Sequence, residues 1–171
     1  MKVLDPNGVE RSGFFIKSTD CYVNRFSIQD GEGGPKVTSF TLTPDEKEII
    51  IAYANSLIKR YRLDPKPVLV HQFRSTHSSA VGVMKTVISN TTGQKSFLLA
   101  TGSSDFNVKI WDLNHHICIK NLNGKSVVTT LCFADEKSIL VGYVEGNVRL
   151  FSLSNKDNKK AFKLEWTHHN K

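Results

Sequence analysis

The phrase Asp105-Phe106-Asn107-Val108-Lys109-Ile110-Trp111-Asp112-Leu113 recurs along this chain in weaker copies, and that recurrence constrains the fold more than any other feature. Asp20…Val23…Phe26-Ser27-Ile28, Asn55…Ile58…Tyr61-Arg62-Leu63 and Glu145…Val148…Phe151-Ser152-Leu153 keep the same offsets. A polar residue sits six before an aromatic, a β-branched residue three before it, and an aliphatic two after. The aromatic anchors Phe26, Tyr61, Trp111 and Phe151 lie 35, 50 and 40 residues apart. Self-similarity at such a period predicts stacked modules, each burying a face against its neighbour.

Each module reads as short strands divided by turn chemistry, so the fold class is all-β. In the clearest one, Val81-Gly82-Val83-Met84-Lys85-Thr86-Val87-Ile88 is an inner strand and Ser96-Phe97-Leu98-Leu99-Ala100-Thr101 a second. Gly102-Ser103-Ser104-Asp105 reads as a tight turn, residues 107–113 as a third strand, and residues 117–122 as an outer fourth. The second strand is apolar at successive positions, the pattern of a strand buried on both faces. A period of about 40–45 residues with four strands per repeat predicts a β-propeller. The expected blades are 14–28 (partial), 37–73, 80–122 and 127–166, within a domain over 14–171 that follows an extension over 1–13. Pro44, Pro65 and Pro67 fall in connections, where a missing N–H costs no ladder bond.

Three to four blades form an incomplete arc, since propellers close with typically 4–8. An open arc leaves an apolar blade face of about 400 Å² at each end, worth on the order of 10 kcal/mol. The expectation is therefore the N-terminal part of a longer propeller. A stable soluble monomer in static light scattering would contradict it.

Composition narrows the class. Hydrophobic residues at 39% and charged residues at 23% describe a globular chain. The longest apolar run, Ile49-Ile50-Ile51-Ala52-Tyr53-Ala54, falls far short of the ~20 residues that span a bilayer. The opening residues Met1-Lys2-Val3-Leu4-Asp5-Pro6 lack the apolar core of a secretory signal. Cys21, Cys118 and Cys132 are scattered and read as small hydrophobes on strands in a reducing compartment. The sequon Asn90-Thr91-Thr92 reads as a polar turn. The net charge of +7 suits an acidic partner surface such as nucleic acid, although the basic residues are dispersed, with Lys59-Arg60 and Lys159-Lys160 the adjacent pairs.

One polar constellation stands out. The loop before the inner strand brings His77 towards the turn that holds Asp105, whose carboxylate can accept from the imidazole. Thr101 on the middle strand can bridge to the indole N–H of Trp111, which needs an acceptor when buried. Ser103 is the substitute if strand phase turns Thr101 elsewhere. A Thr-His-Asp set invites a catalytic reading. That chemistry needs an exposed nucleophile and an oxyanion site, whereas this hydroxyl lies within a strand and no Gly-x-Ser-x-Gly is present. The set is read as a structural lock of the blade. His115-His116 and His168-His169 raise metal binding, but adjacent residues point to different sides and no further ligand stands at suitable spacing. No cofactor is expected.

These residues resemble the WD-repeat (WD40) family. Residues 98–113 form a near-complete family signature, and the usual Gly-His dipeptide stands as Thr76-His77 and Thr167-His168. Before the last blade it is Gly124-Lys125. Phe26-Ser27, Tyr61-Arg62 and Phe151-Ser152 replace Trp-Asp, which weakens the polar network in three of the four repeats. Phe73-Arg74-Ser75-Thr76-His77, residues 37–45, residues 55–58, residues 98–113 and residues 116–124 are similar to the N-terminal propeller of the transducin-beta-like subunits of the small-subunit processome. That resemblance implies a non-enzymatic scaffold in a nucleolar ribonucleoprotein that matures ribosomal RNA. It implies other protein subunits as partners, admits contact with pre-ribosomal or small nucleolar RNA, and calls for no membrane and no small-molecule substrate. The alternative is a substrate-recognition adaptor such as a ubiquitin-ligase receptor. That would need a pocket of converging arginines, for which Arg25, Arg60 and Arg74 are the candidates.

Overall fold

The computed structural model describes residues 34–64, 66–74, 76–90, 93–154 and 161–167, together with the backbone of four short strands before them. The short strands are β1 (Val3–Leu4) paired with β2 (Glu10–Arg11), and β3 (Gly13–Phe15) paired with β4 (Tyr22–Asn24), both antiparallel. The anchor Phe26, Cys21, Arg25 and the pair His168-His169 lie outside the described residues.

Three four-stranded antiparallel sheets follow, each in simple chain order. The first comprises β5 (Val37–Leu42), β6 (Glu48–Tyr53), β7 (Ile58–Arg62) and β8 (Val68–Phe73). The middle sheet comprises β9 (Val81–Ser89), β10 (Ser96–Ser103), β11 (Asn107–Asp112) and β12 (Ile117–Asn123). The last comprises β13 (Val128–Asp135), β14 (Ser138–Tyr143), β15 (Asn147–Ser152) and β16 (Phe162–Thr167). Inner strand β9 lies between β5 and β13, so the sheets stack side by side around a common centre. No helix occurs among the described residues.

Strand periodicity explains how the sheets stack. Side chains alternate faces with period two, so the second strand, covered on both sides, is apolar at successive positions along its middle. On β10, Leu99 faces the first sheet, while Leu98 and Ala100 face the last. Register then carries the rule across each blade. Leu99 pairs with Trp111, Ile139 with Phe151, and Ile49 with Tyr61. Trp111 packs with Ile50, Ala52, Ile58 and Phe73 of the sheet before it, and Phe151 with Ala100, Ile110 and Leu122 of the sheet before it. Tyr61 joins Ile51 and Tyr53 on the opposite face of the first sheet. Trp111 and Phe151 therefore plug the boundary towards the N-terminal side of their blades. Fully burying an aliphatic side chain such as Ile110 or Leu99 contributes about 1.5–3 kcal/mol, and both are completely buried.

Two local details differ from expectation. Gly102 and Ser103 belong to β10 rather than to the following turn. A Cβ on Gly102 would approach Val128 Cγ1 to 2.4 Å, so the glycine permits close approach of the last sheet rather than a reverse turn. The left-handed turn residues are instead Ser56, Phe106 and Gly146, at φ 67°, 72° and 84°. Each donates its N–H three residues back, to Tyr53, Ser103 and Tyr143 respectively. The repeat thus preserves a backbone hydrogen bond even where the residue type has drifted away from glycine.

Candidate functional site

The polar network sits at one end of the middle blade, where the loop into β9 meets the β10–β11 turn. Asp105 is the hub. Its carboxylate accepts the N–H groups of Ser78 and Asn107, each at 3.0 Å, which ties the loop to the turn. His77 Nδ1 lies 3.1 and 3.0 Å from the two Asp105 oxygens, and its Nε2 lies 2.8 Å from Thr101 Oγ1. Trp111 Nε1 donates to the same Thr101 oxygen at 3.0 Å.

A neutral imidazole satisfies all these contacts, with Lys109 O a second acceptor 3.4 Å from the Thr101 hydroxyl. The imidazole donates from Nδ1 to Asp105, the Thr101 hydroxyl donates to Nε2, and the indole donates to the Thr101 oxygen. The histidine is then neutral. Burial pushes His77 below its ordinary range, against the pull of the Asp105 carboxylate. Burial alone would raise Asp105, but hydrogen bonds from the Asn107 and Ser78 amides, helped by His77, hold it low. Thr101 is 0% exposed, so its oxygen is spent inside the blade with no face open to a substrate. Ser103, the other candidate, makes a separate set of bonds: its hydroxyl lies 2.9 Å from Ala80 O and 3.1 Å from Ser79 O, and it accepts the N–H of Asp105.

The other repeats place different residues at the same positions. The last blade has Lys125 before its inner strand, Val141 on β14, Glu145 in the turn and Phe151 as anchor. The first has Ile51, Asn55 and Tyr61. In both, a tyrosine occupies the position of Ser103 and lies beneath a cation from the third strand. Lys59 Nζ is 5.5 Å from the Tyr53 ring, and Arg149 Cζ is 5.2 Å from the Tyr143 ring.

The remaining candidates separate. His115 Nδ1 pairs with Asp112 at 2.8 Å and is exposed, whereas His116 turns the other way and stacks on His71. Among the described residues, no three His, Cys, Asp or Glu side chains cluster to hold a metal ion. Cys118 and Cys132 are free and exposed.

Arg60 departs from the expectation of a solvated basic surface. It is only 9% exposed, holds Glu48 through Nε at 2.6 Å, and reaches across the blade boundary to Leu113 O at 2.6 Å. It is therefore not available to an arginine pocket with Arg74. Sequence reasoning missed this contact, because its partners lie 12 and 53 residues away with no motif linking them. The one available signal is an arginine at position 60, where Ile110 and Leu150 stand in the later repeats.

Residues 68–112 match the sequence profile of the family described as WD domain, G-beta repeat. The structure of U3-55K is similar at a TM-score of 0.65 and 18% identity, over 81% of this chain and 41% of that one. The crystal structure of RRP9 WD40 repeats gives 0.64 and 18%, over 81% and 40%. The computationally designed Ika4 protein gives 0.64 and 17%, over 82% and 77%. The chain spans about two-fifths of the length of the U3-55K and RRP9 chains that it matches. No curated protein matches it in sequence. Residues 68–112 thus match one WD40 repeat, and the three four-stranded sheets have the fold of blades of a WD40-type β-propeller, an incomplete arc among the described residues.

Proposed function

We propose that this chain is part of a non-enzymatic WD40 scaffold that docks several proteins at once, as a component of the small-subunit processome in ribosomal RNA processing. The observation that supports a scaffold is the closure of the polar network. His77, Thr101, Asp105 and Trp111 satisfy one another inside the blade, so they hold it in shape and leave recognition to the loops. On this reading the domain runs over 14–171, with blades at 14–28, 37–73, 80–122 and 127–166 behind an extension over 1–13.

The processome assignment rests on the sequence resemblance of residues 37–45, 55–58, 73–77, 98–113 and 116–124. The fold neighbours support the architecture alone. A net charge of +7 is compatible with a ribonucleoprotein and with contact to pre-ribosomal or small nucleolar RNA. A nucleolar address follows from the same reading.

Affinity purification of the tagged protein followed by mass spectrometry tests it. Recovery of box C/D ribonucleoprotein proteins is the expected result. Cullin-type partners would replace it with the adaptor reading, and a nuclease-resistant association with neither set would reject both.

A further inference from the structure

The boundary between the first and middle sheets holds a group of ionisable side chains that the scaffold reading does not use. His71 on β8 and His116 in the β11–β12 turn stack face to face, ring centroids 4.0 Å apart and planes 9° from parallel. Arg60 on β7 lies beside them. Its Nη1 sits 3.2 Å from His116 Nε2 and 2.6 Å from Leu113 O, and Glu48 on β6 holds it from its own blade. One guanidinium thus joins two blades through a carbonyl and an imidazole.

The chemistry of that contact dictates the imidazole's state. A guanidinium has only donors, so Nε2 of His116 must be an acceptor and the ring must be neutral with its proton on Nδ1. A proton on Nε2 would set N–H against N–H and place a second positive charge beside a buried arginine. A proton on His71 would do the same through the stack.

We propose that Arg60, His116 and His71 form a pH-gated clasp between these two blades, closed when both imidazoles are neutral and released when either gains a proton. Every charged group facing the pair bears on this. Burial is the largest influence holding both rings below the ordinary histidine range. Arg60 and His115 push His116 the same way, while Glu48 and Asp112 pull it up. His116, Arg60 and Arg74 push His71 down. The other boundary is filled by Leu98, Ile110, Ile139, Val141 and Phe151, and among the described residues no stacked imidazole pair stands in it. Mild acid therefore loosens one seam of the arc and spares the other.

Hydrogen exchange of the chain at pH 7.5 and 5.5, expressed as protection factors, reads this directly. Protection over residues 58–62 and 112–117 should fall, by at most about tenfold for each histidine at one unit below the free value of about 6.5. Protection over residues 139–151 should hold. The double variant His71→Phe, His116→Asn keeps a ring at position 71 and an acceptor for Arg60 at position 116, and asparagine tolerates the left-handed backbone. It should keep the seam closed at both pH values. Nitrogen-15 shifts at pH 7.5 should report the Nδ1–H tautomer of His116. Equal loss at both regions, the same pH loss in the double variant, or the Nε2–H tautomer would each overturn the proposal.

Discussion

The middle and last blades share a backbone but not a polar core. Both have four strands in the same order, the same turn hydrogen bond from Phe106 or Gly146, and an aromatic anchor packed on the preceding sheet. The middle blade adds His77, Thr101, Asp105 and Trp111 as a closed chain of hydrogen bonds. The last blade has Lys125, Val141, Glu145 and Phe151 there, and a tyrosine under Arg149, whose guanidinium pairs with Glu165 at 2.8 Å. A blade therefore needs register and apolar stacking, while its polar furnishing is replaceable. What the network adds is a tie between a loop and a turn that apolar packing alone does not hold.

The comparison can be broken most forcefully at what the two blades share. Ile139→Ala, in the apolar boundary between them, should cost about 2–5 kcal/mol, measured by urea unfolding. A loss smaller than that of the polar variants would mean the boundary is not the main support. Asp105→Ala comes next. It leaves His77 and two backbone N–H groups without their acceptor, and a loss of about 1–3 kcal/mol is expected. Unchanged thermal unfolding would remove the network from any structural role.

Acid sharpens the contrast further. His77 is held below the usual histidine range, so the unfolded chain binds that proton more readily than the folded one. Its contribution is full above the unfolded value of about 6.5 and fades as pH drops below it. His77→Gln should remove part of the stability lost between pH 7.5 and 5.5, whereas Lys125→Gln in the last blade should leave that slope unchanged. The smallest effect belongs to Glu145→Ala, the counterpart of Asp105→Ala. Glu145 is exposed, and a change within about 0.5 kcal/mol is expected. A cost matching that of Asp105→Ala would mean that the last blade has a lock of its own.

The repeat was legible because its signal is local. The six-residue step from Asp105 to Trp111 spans one turn and one strand, and that spacing survives wherever the strand must reach the same boundary. His77 and Asp105 were legible as a pair for a related reason: both lie in the connections of a single blade, which the repeat places at the same end. Lys59-Arg60 was misleading. Adjacent residues on a strand face opposite sides, so only Lys59 remains towards Tyr53 while Arg60 enters the boundary. The turn after β10 was placed two residues early, since a glycine there serves the approach of Val128 rather than chain reversal.

The order of side chains along the chain determined by itself that strands form, how many each of the three described sheets has, and that Trp111 and Phe151 close the boundaries in front of them. Alternation and turn propensity act between near neighbours, so a linear reading carries them. Which residue of one blade meets which residue of the next was decided by tertiary structure alone. Arg60 finds Leu113 and His116 only because two sheets stack at one angle and one height, and that placement is a collective result of packing many apolar side chains together.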